Sequence, residues 1–167
     1  MKVIVLKVRH KENLDELAEV IRRGRTLDGD DGGWQMPKHS ELGDLAIWYA
    51  ASPDQEYRAY GWVAGAPVKP DGELVKYYGP VAGVRLLTEP VARHVAAAAS
   101  GFNEKGVGQL AEVVHQRADD FLQALGFPER FVAARELISD EIRRAVRSLV
   151  DFPPYGHHGL PARVART

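Results

Sequence analysis

The chain has 167 residues, 45% hydrophobic and 27% charged, with a formal net charge of -1 and no cysteine. That length and balance suit one globular domain with a core of its own and argue against disorder of the whole chain. The missing cysteines exclude disulfides, thiolate metal sites and a cysteine nucleophile, and the near-zero charge argues against loose, counterion-driven coating of nucleic acid.

The charge is unevenly spread. Residues 1–25 hold seven Lys/Arg against four Asp/Glu, residues 26–128 hold eight against fourteen, and residues 129–167 hold seven against five. Basic surface is therefore expected near the two ends of the chain. The first apolar stretch, Val3 to Val8, is interrupted by Lys7 and is too short for a signal-peptide core. The longest other apolar run, Val95 to Ala99, falls far short of the roughly 20 residues of a membrane span. No membrane partner and a cytoplasmic location are the expectation.

In chain order, residues 2–8 read as a buried strand. Asn13, with Glu16 three residues on, forms a capping-box-like start to a helix that Gly24 would stop. An acidic loop, Arg25 to Glu41, contains Trp34. Leu45 to Ala50 is a strand, Ser52 to Glu56 a polar turn, and Tyr57 to Val68 a second strand carrying Gly61 and Gly65. After the turn Lys69-Pro-Asp-Gly, Leu74 to Leu87 reads as a third and fourth strand bent at Gly79-Pro80 and Gly83. Residues 1–90 thus suggest a strongly curved, barrel-like sheet with one early helix. Helical periodicity follows over Gln109 to Leu125 and over Phe131 to Val150, where Ser139 is a candidate internal cap. Residues 1–152 are read as one domain of class α+β, and 153–167 as a flexible Pro-, Gly- and His-rich tail.

Aromatic residues carry the functional signal. Trp34, Trp48 and Trp62, the only tryptophans, lie within 29 residues of one another, with Tyr49, Tyr57 and Tyr60 among them. Such rings are either barrel core or the walls of a stacking pocket for a flat heterocycle. Trp34 follows Gly-Gly in a polar loop, a better place for a pocket wall than for packing. Alternation puts Trp48 and Tyr49 on opposite faces of their strand, and Tyr60 and Trp62 on a shared one. Arg58, Arg22, Arg23 and Arg25 are candidate phosphate contacts or solvated charges. Asp44, at a strand start, is expected to accept backbone N–H bonds from the preceding turn.

The run Trp34 … Gly43-Asp44-Leu-Ala-Ile-Trp-Tyr-Ala-Ala-Ser … Tyr60-Gly-Trp-Val-Ala-Gly resembles the EVE domain of the PUA-like superfamily over about residues 1–90. The resemblance implies a β pseudobarrel with C-terminal helices packed on it. It also implies a pocket for nucleic acid or a modified nucleobase, in DNA or RNA. On that pattern Trp34, Trp48 and Tyr49 fall on motif positions, and Lys38, His39 and Ser40 on the polar mouth. Ser52, Arg58 and Trp62 complete the candidate ligand-binding set. Where the EVE pattern often continues His-Ser, this chain has Ala50-Ala51-Ser52.

Other chemistry is poorly supported. Asp28-Gly-Asp-Asp-Gly-Gly lacks the later ligands of a calcium loop. Gly101 to Gly106 has Walker-like spacing, but Val107-Gly108 stands where Lys-Ser/Thr is needed. His157-His158 has no third ligand nearby. There is no Gly-x-Ser-x-Gly. No cofactor, metal or catalytic residue is implied. Two alternatives stay open. One is an ASCH-like hydrolase of modified nucleosides using Lys7, Thr26 and Glu73. The other is a protein-interaction module that uses the C-terminal helices, for instance in a homodimer.

Overall fold

The computed structural model describes residues 1–8, 15, 17–18, 34–51, 53–103, 110–113 and 115–151. The remainder of the early helix, most of the acidic loop, Ser52, Thr26, the Walker-like segment from residue 104, and the tail with its two histidines lie outside the described residues.

The architecture is mixed α+β. Strands β1 (Val3–Val8), β3 (Leu45–Ala50), β4 (Glu56–Val63), β6 (Val81–Ala92) and β7 (Leu110–Val113) form one sheet in the order β6-β4-β3-β1-β7. A two-residue ribbon pairs β2 (Trp34–Gln35) with β5 (Tyr78–Gly79). Helices α1 (Arg93–Ser100), α2 (His115–Ala124), α3 (Glu129–Ala134) and α4 (Ser139–Asp151) complete the described chain. Among the described residues the sheet is open, with β6 and β7 as its edges.

β3 is the centre of the sheet, parallel to β1 and antiparallel to β4. Its six residues, Leu-Ala-Ile-Trp-Tyr-Ala, are all buried. A strand covered on both faces reads as a continuous apolar run rather than an alternating one. On one face Ile4, Leu6, Ala46, Trp48, Ala59 and Val84 meet Leu17, Trp34 and Met36. On the other, Val5, Ile47, Tyr49, Tyr57 and Leu87 meet Ala96 of α1, Phe121 and Leu122 of α2, and Val132 of α3. A third cluster seats Val146 and Ile142 of α4 on Ala64, Ala82 and Trp62.

Two expectations are corrected. Residues 110–113 are not helical: β7 pairs antiparallel with β1, Val3 opposite Val113, and the helix starts only at His115. The outer edge of β1 carries backbone groups that need partners, and that demand overrides a helical spacing of apolar residues. The second strand stops at Val63 rather than Val68. Beyond it the Ala64 N–H donates to the Pro80 carbonyl, and Val68 bridges Tyr78. The split suggested at Ser139 is present: two helices flank a break over 135–138 and the second begins at Ser139, although the Ser139 hydroxyl is buried with no partner among the described residues and so makes no cap bond.

Candidate functional site

Trp34 and Trp48 come together. Their ring centroids are 5.6 Å apart at 83°, an edge-to-face pair. Such a pair adds about 1 kcal/mol to the burial of its rings. β2 brings Trp34 there because it is pinned to β5, Trp34 opposite Gly79 and Gln35 opposite Tyr78. Gly61 on β4 makes room for Trp48. A Cβ at Gly61 would sit 3.1 Å from the Trp48 Cζ3 atom, 3.0 Å from Val84 and 3.2 Å from the Ala82 carbonyl oxygen.

Trp48 is fully buried and Trp34 retains 7% exposure. Both indole nitrogens are buried without a hydrogen-bond partner among the described residues. An indole N–H can only donate, and a buried donor left unpaired costs about 1–3 kcal/mol. Two such donors on rings that pack edge to face are an unusual feature for a dry core.

The segment after Trp34 forms a polar turn. The Ser40 N–H donates to the Pro37 carbonyl, and the Lys2 ammonium donates to the His39 carbonyl. Lys38 and His39 are exposed. The Lys38 ammonium stands 5.8 Å from the centre of the Tyr77 ring, within cation–π range. Ser40 is buried, and its hydroxyl has no partner among the described residues. Asp44 closes this turn as expected: its carboxylate accepts the Lys2 N–H at 2.9 Å and the Glu41 N–H at 2.8 Å.

The other sequence candidates lie elsewhere. Tyr49 is on the opposite face, 5.2 Å from Tyr57, which in turn packs on Phe121. Trp62 is half-buried against Phe131, and Tyr60 packs on Phe127. Arg58 is held by Asp54 at 3.0 Å and Glu56 at 2.8 Å. Ser52 is outside the described residues. Alternation therefore divides the aromatic set between two faces of one sheet.

No protein-family model and no curated protein matches the chain. Solved structures do match. Protein Atu2648 from Agrobacterium tumefaciens aligns with a TM-score of 0.55 and 11% identity, over 77% of this chain and 97% of that one. Rpa0253 from Rhodopseudomonas palustris aligns with a TM-score of 0.53 and 12% identity, over 75% and 94%. The likeness is one of fold.

Several features had no clear signal in the sequence. Tyr77 partners Lys38 only because the ribbon folds back, with the Met36 N–H donating to the Tyr77 carbonyl at 3.0 Å. The glycine in Tyr77-Tyr78-Gly79-Pro80 was the one available hint; a Cβ there would lie 2.6 Å from the Met36 sulfur. A cleft of about 190 Å³ opens away from the indole pair, between Tyr60, Leu86 and Leu87 on the strands and the turn Leu125–Phe127 after α2. Among the described residues no group of three or more His, Asp or Glu side chains could hold a metal ion. Nor is any helix long and apolar enough to cross a membrane.

Proposed function

We propose that this protein binds a nucleobase, in the sense of a modified-base reader, at the Trp34–Trp48 pair. One observation carries the reading: two adjoining buried indole rings, each with an N–H that has no acceptor among the described residues. A ligand that satisfies them must be flat enough to slide against the rings and must offer acceptors at its edge. A base has both, with ring nitrogens and carbonyl oxygens along its rim. Ser40, Lys38 and His39 supply polar groups in the turn that follows Trp34 in the chain. The finer description of the fold, a PUA-like pseudobarrel of EVE type, belongs to the same proposal. Supporting it are the Gly43-Asp44 entry into β3, the close approach of Gly61 to Trp48, and the helices on the sheet.

Tryptophan fluorescence tests the reading. Methylated nucleosides, or short oligonucleotides that carry them, should quench the wild-type signal. Trp34→Ala should abolish binding. Trp34→Phe is the sharper probe, because it keeps a ring and removes an unpaired donor. Its denaturation midpoint should stay close to that of the wild type, since the lost volume and the removed orphan N–H offset each other, while affinity falls about tenfold. Unchanged affinity in Trp34→Phe, with quenching intact through Trp48, would remove the indole donors from the mechanism.

A further inference from the structure

The cleft beside Tyr60 lies on the helical side of the sheet, and two departures from regular structure build it. The first is in β6. Ala59 of β4 pairs with Leu86 and Tyr57 pairs with Val91, so Arg58 alone on β4 stands against residues 87–90 on β6. Extra residues on one strand bend it away from its neighbour, and here they do so next to Tyr60. The second departure ends α2. The Gly126 N–H donates to the Gln123 carbonyl at 2.9 Å, and the Phe127 N–H donates to the Leu122 carbonyl at 3.0 Å. This closure needs the positive φ of 86° that Gly126 supplies. It turns the chain back and sets Phe127 edge-on to Tyr60, with ring centroids 5.2 Å apart at 70°.

Between the bulge and the turn the cleft measures about 190 Å³. An apolar cavity of about 150 Å³ is enough to hold benzene, so this cleft has room for a single ring with a short substituent. Its walls are mostly apolar: the rings of Tyr60 and Phe127, with Leu87, Leu125 and Pro128, and Leu86 at the lip with 64% exposure. Two side-chain hydroxyls belong to the lining, those of Tyr60 and Thr88, and neither makes a hydrogen bond to a described residue. Each can donate and accept. No charged side chain lines the cleft. Around it, Arg85 and Glu89 flank the β6 wall along the chain and Glu129 and Arg130 follow Pro128; all four are exposed, and the two signs balance. An ion that entered would give up water for apolar walls and find no dedicated counter-charge.

We infer that this cleft is a binding site for a small neutral phenol or aromatic alcohol: one ring held between Tyr60, Phe127 and the leucines, and one hydroxyl exchanging hydrogen bonds with Tyr60 and Thr88. The inference stands apart from the nucleobase reading, because the cleft is on the opposite face of the sheet from Trp34 and Trp48. A nucleobase carries more polar edge than two hydroxyls can meet, so the two faces select different ligands.

A titration of the full chain followed by backbone-amide NMR tests the site, with phenol, benzyl alcohol, benzoate and benzylammonium as the probes. The two neutral probes should shift the amides of Leu87, Thr88, Gly126 and Phe127 saturably, with a Kd of about 1 mM, the range open to so few atoms. The two ions should bind about tenfold more weakly or worse. The double variant Tyr60→Phe/Thr88→Val keeps the ring and the volume and removes two hydroxyls that hold no described residue, so its spectrum should stay that of the folded protein. Its affinity for the neutral probes should fall about tenfold, while Trp34→Phe should leave the titration unchanged. Absence of saturable shifts at these four amides would overturn the site. So would shifts centred on Trp34 and Trp48, which would place the probe at the indole pair. Tighter binding of benzoate or benzylammonium, or undiminished affinity in the double variant, would overturn the assigned ligand class. None of these results bears on quenching by nucleosides, which tests the indole pair separately.

Discussion

Asp44 shows how much one side chain can settle. It is a 98%-covered carboxylate at the mouth of β3, and its two oxygens join the chain start to the turn before the strand. Hydrogen bonds to a charged group contribute about 1.5–3 kcal/mol each, and removing the acceptor leaves two backbone donors short. Asp44→Ala should therefore lower the unfolding free energy by about 3 kcal/mol, read from urea denaturation. Asp44→Asn, which keeps one carbonyl acceptor, should recover part of that. This role was legible in the sequence, because a carboxylate placed between Gly43 and an apolar strand has local backbone donors to accept from. The fate of Arg58 was not legible. Its charge suggested phosphate, but Asp54 and Glu56, four and two positions before it along the chain, take up the guanidinium.

At the level of elements, β1, β3 and β4 declared themselves by composition and the aromatic positions by alternation, whereas residues 74–77, expected in a strand, lie in the loop before β5. Trp48 and Tyr49 do part to opposite faces. What periodicity missed was competition for edges. Leu110 to Val113 has a helix-compatible spacing, but β1 needed a neighbour and took it as β7. The helix over 93–100 carried no strong periodic signal, since five of its eight residues are alanine or valine. Gly61 is a point of close approach between elements on the indole side of the sheet. Gly61→Ala would push a methyl group against Trp48, Val84 and a backbone oxygen at 3.0–3.2 Å. Overpacking of this kind costs about 1–3 kcal/mol. The variant should show a lower thermal midpoint and a shifted Trp48 emission, and an unchanged midpoint would mean that the sheet yields there.

Over the whole molecule, a sheet sandwiched between two different covers places the chemistry. The helical cover is joined to the sheet through Phe121, which touches both Tyr57 and Phe102 with centroids 5.2 and 5.1 Å away. Phe121→Ala should cost about 3–5 kcal/mol. Because Phe121 lies on the far face from Trp34, a folded sample of the variant should keep any nucleoside quenching that the wild type shows. Calorimetry and the fluorescence titration, run on one preparation, check both halves of that expectation.

The sequence by itself determined the α+β class, the central strand, the turn at Asp44 and the identity of the aromatic residues, because each depends on local periodicity or local hydrogen bonding. Only the tertiary structure decided which aromatics meet. Trp34 reaches Trp48 through a ribbon closed by Gly79, 45 positions further along the chain, while Tyr49 and Trp62 turn to the helices. Pairing across such separations is set by which sheet edges and faces remain uncovered once the strands have assembled, and no local pattern encodes that.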